Sequence, residues 1–115
     1  MYRIAIASSN GETVDMHFWQ ATSFLIYEIG DEGASFVEDR AIENVKDENE
    51  HSMQNMEKRA KILSDCKAVF FLKIGMRSSR YLYEHGIKPF EVSFSLNHIF
   101  KTLIKNEKQG RIKIL

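Results

Sequence analysis

The 115-residue sequence offers four histidines and one cysteine as candidate ligands or nucleophiles, and two of these five, His17 and Cys66, stand in settings that suit chemistry. His17 follows Met16 and precedes Phe18 and Trp19 in a loop spanning residues 13–22, just after a first strand. Long loops in small domains often carry function, and loops at the carboxyl ends of sheet strands are where α/β proteins hold ligands. A neutral imidazole beside a sulfur is a donor set suited to iron, copper or zinc. The same run also reads as packing, with Phe18 and Trp19 tucked into a core and His17 capping a backbone group. Cys66, between a helix end and a buried strand, is either a small apolar filler or a ligand, and a nucleophilic thiolate is the lesser alternative. His85 falls in the last turn of a helix, where it suits the dipole. His98 lies on the polar side of the last helix, and His51 in a polar connection that assigns it no role.

A second loop joins these candidates: Lys73-Ile74-Gly75-Met76-Arg77-Ser78-Ser79-Arg80. Gly75 permits close backbone approach, the helix start that follows presents free amides, and Arg77 and Arg80 add positive charge. Together they can hold an anion; a plain strand-to-helix turn explains the same residues.

The elements that must position these groups follow from periodicity. Residues 2–8 alternate and predict a first strand; residues 24–29, rich in aromatic and β-branched side chains, predict a second; residues 35–42, more charged, predict an edge strand. The polar stretch 44–51 reads as a connection. Ser52 caps a helix to about residue 64, with Met53, Met56, Ala60 and Leu63 on one face. The continuously apolar run 68–72 predicts a central strand covered on both faces. Ser78 or Ser79 caps a short helix through Tyr81, Leu82 and Tyr83 that Gly86 stops. Residues 87–93 predict a fifth strand with Pro89 near its start, and residues 95–106 a helix whose stripe is Leu96, Ile99, Phe100, Leu103 and Ile104. The alternating tail 111–114 predicts a short edge strand or a dimer contact. The order β-β-β-α-β-α-β-α predicts an α/β domain over residues 1–115 with a mixed five-stranded sheet and helices on its faces, like that of ribonuclease H.

Several function classes are disfavoured at once. Lysine plus arginine equals aspartate plus glutamate, sixteen each, so there is no basic excess for a nucleic-acid backbone. Two-metal phosphodiester chemistry needs converging carboxylates, and neither the first strand nor the central one supplies any. The apolar run is far too short to span a membrane, the start of the chain lacks a signal peptide's features, and one cysteine excludes an internal disulfide, so a reducing cytoplasm is the expected compartment.

Read together, Arg3-Ile4-Ala5-Ile6-Ala7-Ser8, then Val14-Asp15-Met16-His17-Phe18 with Ala21 and Phe24, then Asp65-Cys66-Lys67-Ala68-Val69, Ile74-Gly75, Leu82 and His85-Gly86-Ile87-Lys88-Pro89 resemble the dinitrogenase iron–molybdenum cofactor biosynthesis family. The likeness runs over nearly the whole chain, and Val-Asp-x-His-Phe is its most specific element. It implies a ribonuclease H-like fold and the binding or carriage, without turnover, of the iron–molybdenum cofactor or an iron–sulfur precursor cluster. The family's histidine and cysteine positions fall on His17 and Cys66, which the resemblance implies as metal ligands, with Phe18, Trp19, Gly75, Met76 and Arg77 around the cluster. Two departures stand out: Trp19 occupies the place of the glycine in the family's His-Phe-Gly, and Met76 and Arg77 replace small residues after Gly75.

The leading expectation is therefore a carrier, not an enzyme, acting as a monomer or homodimer with a metal cluster and other cofactor-assembly proteins as partners, and with neither nucleic acid nor membrane. The alternative is a protein-interaction or regulatory module that has kept the fold and lost the cluster, as Trp19 suggests. A third reading, an enzyme acting on an anionic small molecule, rests only on the loop from Gly75 to Arg80.

Overall fold

A computed structural model of the protein describes residues 1–42 and 52–108. The polar connection with His51 and the tail 111–114 lie outside the described residues. Five strands, β1 (Tyr2–Ile6), β2 (Ser23–Gly30), β3 (Gly33–Ala41), β4 (Cys66–Phe71) and β5 (Lys88–Glu91), form one sheet in the order β3-β2-β1-β4-β5. The first three make an antiparallel meander, while β4 runs parallel to β1 and β5 parallel to β4. The mixed sheet and element order agree with the sequence pattern. β5 is shorter than expected, and among the described residues its Pro89 has no β-strand neighbour on its outer side, where a missing donor is tolerated.

Side-chain alternation splits the core between the two faces of this sheet. Ala5, Ala7, Val69 and Phe71 point to one face, covered by α1 (Met53–Ile62) and α2 (Met76–Glu84) through Met56, Ala60, Leu63 and Leu82. Ile4, Ile6, Ala68 and Phe70 point to the other, covered by α3 (Leu96–Lys108) through Leu96, Ile99 and Leu103. β1 and β4 are thus buried on both faces, which is why the run after Lys67 is continuously apolar.

The helix boundaries have local causes. The Ser52 hydroxyl accepts from Asn55 N at 3.2 Å, an N-cap as predicted. Met53, placed on the α1 stripe by its spacing, is instead half exposed, while Arg59 is buried on that stripe. α2 begins earlier than expected. Gly75 occupies its N-cap without any side-chain bond, and Ser78 and Ser79 fall inside the first turn. Its far end is a Schellman closure: Gly86, at φ 81°, lets Ile87 N donate to Leu82 O at 2.9 Å and Gly86 N to Tyr83 O at 3.1 Å. His85 sits at the C-cap, as its sequence position predicts, with Nδ1 2.7 Å from Tyr81 O. No helix among the described residues is long and apolar enough to cross a membrane.

Candidate functional site

The loop between β1 and β2 is held at both ends. Ser9 N donates to Asp15 Oδ1 at 2.8 Å, and the Ser9 hydroxyl bonds the other carboxylate oxygen. Asn10 Oδ1 accepts from Glu12 N and Thr13 N at 2.8 and 3.0 Å, closing the turn at Gly11. Val14 N and Leu96 N then donate to Phe94 O and Glu12 O, tying the loop to the start of α3.

Past Asp15 the chain runs along the end of β4. Leu72 N donates to Met16 O at 2.9 Å and Phe18 N to Lys73 O at 3.0 Å. Val14 is buried in the core under α3 and Phe18 in the core under α1 and α2, so the segment is anchored on both faces of the sheet within five residues. Between the anchors, His17 is exposed. Its N donates to Gln20 Oε1 at 3.2 Å, and its O accepts from Gln20 N and Ala21 N at 3.1 and 3.2 Å. The Val-Asp-x-His-Phe pattern thus has a division of labour: two apolar anchors, one carboxylate brace, and one imidazole left facing solvent.

Phe18 and Trp19 are packed as the plain structural reading of their types expects. Phe18 is fully buried and meets Trp19, Phe24 and Phe71 with ring centres 5.5 to 5.8 Å apart. Trp19 is half-buried and its Nε1 donates to Ser78 Oγ at 3.3 Å, bridging the loop to the first turn of α2. Gly75, Met76 and Arg77 are exposed at that helix start, with Lys73 and Arg80 nearby in sequence and also exposed. Ile74 N is fixed by Glu91 Oε1 at 3.2 Å. The structure therefore brings His17, Phe18, Trp19, Gly75, Met76 and Arg77 to the carboxyl end of the two central strands.

Cys66 is not part of this group. It opens β4 opposite Arg3, six residues of extended chain, roughly 20 Å, before the point where Leu72 meets Met16. It is 3% exposed, and burial, with the Asp65 carboxylate beside it, pushes its thiol up to about 12. Asp65 itself is held down at about 2, chiefly by hydrogen bonds from Arg40, with Nη1 at 2.6 Å and Nη2 at 3.1 Å, and by Arg3 Nη1 at 3.2 Å. Among the described residues, no three histidine, cysteine, aspartate or glutamate side chains gather to hold a metal ion.

One residue at the site escaped the sequence reading. Arg59, in α1, is 1% exposed; its Nη1 donates to Phe18 O at 2.8 Å, and its guanidinium carbon lies 5.1 Å from the Trp19 ring centre and 5.5 Å from that of Phe18. The available signal was its spacing: three residues after Met56 and four before Leu63, on the stripe itself.

Comparison with known proteins shows the family. The sequence profile described as "Dinitrogenase iron-molybdenum cofactor" matches residues 1–106. The chain belongs to the dinitrogenase iron–molybdenum cofactor family. Similar relatives include the FeMo cofactor biosynthesis protein NifB of Frankia alni, 33% identical over 92 residues that cover 77% of this chain and 18% of that one. Protein NifY of Azotobacter vinelandii is 34% identical over 88 residues, 76% of this chain and 34% of its own. Protein NifX of Rhodobacter capsulatus is 31% identical over 90 residues, 76% of this chain and 57% of its own. The match thus spans about a fifth to somewhat over half of these relatives' lengths. Among solved structures, that of PH0822 shares the fold, with a TM-score of 0.63 at 22% identity, covering 98% of this chain and 96% of that one.

Proposed function

We propose that this chain binds and carries a preformed iron–sulfur or iron–molybdenum cluster without turning it over, with His17 as the protein's ligand. The observation that carries the reading is the exposed imidazole held between two buried anchors at the carboxyl end of the sheet. A cluster is cargo that brings its own sulfides, so a single imidazole can dock it where a bare ion would need several protein donors. The loop supplies what that requires, one exposed imidazole.

The surroundings support an anionic cargo. Arg77, Lys73 and Arg80 are exposed and make no ion pair among the described residues, and Gly75, at the N-cap of α2, makes no side-chain cap bond. Gly75 is required neither by its backbone, at φ −70° and ψ 152°, nor by space, since a Cβ there would meet nothing within 4 Å. Its lack of a side chain leaves that approach to the amides open, and phosphate-like or sulfide-rich anions favour such a place. Phe18 and Trp19, which follow the imidazole in the chain, pack into the core and against α2. The names of the relatives place one of them in FeMo cofactor biosynthesis, and by likeness we read cofactor-assembly proteins as partners and the fold as ribonuclease H-like.

Anaerobic titration of the full chain with a cluster precursor tests the reading. Visible absorption should appear at stoichiometric levels and fall in His17→Ala. If the wild-type protein takes up no cluster under these conditions, it is not a carrier.

A second reading, an interaction module, draws on the Trp19–Ser78 bond, which ties the loop to α2 where the family's usual glycine leaves an opening. It expects cluster uptake to appear only in Trp19→Gly.

A further inference from the structure

We infer that Arg59 is the positioning residue of the His17 site: its guanidinium, beneath residues 17–19, fixes the loop in the shape that presents the imidazole. The consequence for cluster binding rests on the carrier reading above; the positioning itself does not.

The argument begins with burial. Arginine is rarely enclosed in a core, because removing its charge from water is costly unless the site rewards it with good geometry. Yet α1 carries Arg59 inward on the same stripe as Met56, Ala60 and Leu63, where a leucine or methionine would pack with less desolvation. Burial lowers its pKa to about 10, which leaves it protonated at neutral pH.

What the guanidinium touches explains its presence. A planar fork can donate along its edge and stack through its face at once, which an ammonium cannot. Here the edge donates to Phe18 O, and the guanidinium lies near both the Phe18 and Trp19 rings. With that bond in place, the four backbone groups His17 N, His17 O, Phe18 N and Phe18 O are all hydrogen-bonded, to Gln20 Oε1, to Gln20 N and Ala21 N, to Lys73 O, and to Arg59. The imidazole then projects from a backbone with no peptide unit free to turn. Removing the guanidinium would leave Phe18 O short of that partner in a buried setting and release the indole that braces the loop against α2.

The experiment compares wild type, Arg59→Met and Arg59→Lys in the full chain. Trp19 is the sole tryptophan, so indole emission and acrylamide quenching report on this loop alone. With a cooperative thermal transition confirming the fold, Arg59→Met should shift the emission to the red, raise quenching, and weaken binding of a synthetic [4Fe–4S] cluster by roughly tenfold or more, as lost outer-shell support does elsewhere. Arg59→Lys, which keeps the charge and loses the fork, should fall between. If Arg59→Met does not fold, Arg59→Lys decides alone. A folded variant with wild-type emission, quenching and affinity overturns the inference. Should wild type bind no cluster, the carrier reading fails instead, and the indole signals still judge Arg59: unchanged, they refute its positioning role; changed, they support it.

Discussion

Where β1 and β4 begin, Asp65 gathers Arg3 and Arg40 in a network whose Arg40 also reaches Glu38 and Ile62 O, and the neighbouring Cys66 thiol is sealed in the core. Where the same two strands finish, His17, Lys73, Arg77 and Arg80 are exposed, and these three cations form no ion pair among the described residues. Both ends carry a metal-loving side chain singled out by the sequence, yet only one exposes it to solvent. Buried thiol and satisfied charges mark an end organised for stability, whereas an exposed imidazole on a pinned backbone belongs to the end to which we assign binding. Residue type nominates a ligand; burial and the partners of its neighbours decide whether it can act as one.

The comparison can be broken most sharply at Phe18, which belongs to the binding end but is fully buried. Phe18→Ala should cost about 3–5 kcal/mol in urea unfolding, as large-to-small core truncations do; a loss below about 1 kcal/mol would mean that the loop is not anchored as described. Next comes the Asp65 network. Its carboxyl lies at about 2 in the folded protein against 3.8 ordinarily, so its contribution is full above about pH 4 and fades as pH falls toward 2. Asp65→Asn should cost about 1 kcal/mol or less at pH 7, given its solvent screening, and should flatten the stability curve across that acidic window. An unchanged acid profile would remove the network from the account.

Cys66 gives a subtler contrast. A buried thiol held near 12 stays neutral at pH 8, so a thiol reagent should modify it only after denaturation. Rapid modification of the native protein would place it on an accessible surface and reopen its candidacy. The smallest stability effect belongs to His17 itself. Its side chain is exposed, and His17→Ala should stay within about 0.5 kcal/mol of wild type by thermal or urea unfolding.

Much of the scaffold was legible because its signals are local. The unbroken apolar run after Lys67 announced a strand covered twice, Ser52 announced a cap, and Leu96, Ile99 and Leu103 announced a helix face. The α2 start was misplaced because serines advertise caps, whereas Gly75 caps through backbone geometry alone. The site was half legible. His17 was singled out by its aromatic and sulfur neighbours, but its exposure depends on Val14 and Phe18 anchoring in different cores, which no period along the chain expresses. Trp19 meets Ser78 fifty-nine residues away, and Arg59 reaches Phe18 across forty-one. An arginine inside an apolar stripe reads from sequence as an interruption of that stripe; only the carbonyl and rings it meets show why it is there.

The most direct test of the account sets the two ends against each other in one anaerobic titration with a synthetic [4Fe–4S] cluster, followed by visible absorption and iron content. His17→Ala should lose most of the bound cluster, while Cys66→Ala should keep wild-type uptake. Uptake that survives loss of the imidazole, or vanishes with the thiol, would contradict the assignment of binding to the His17 end.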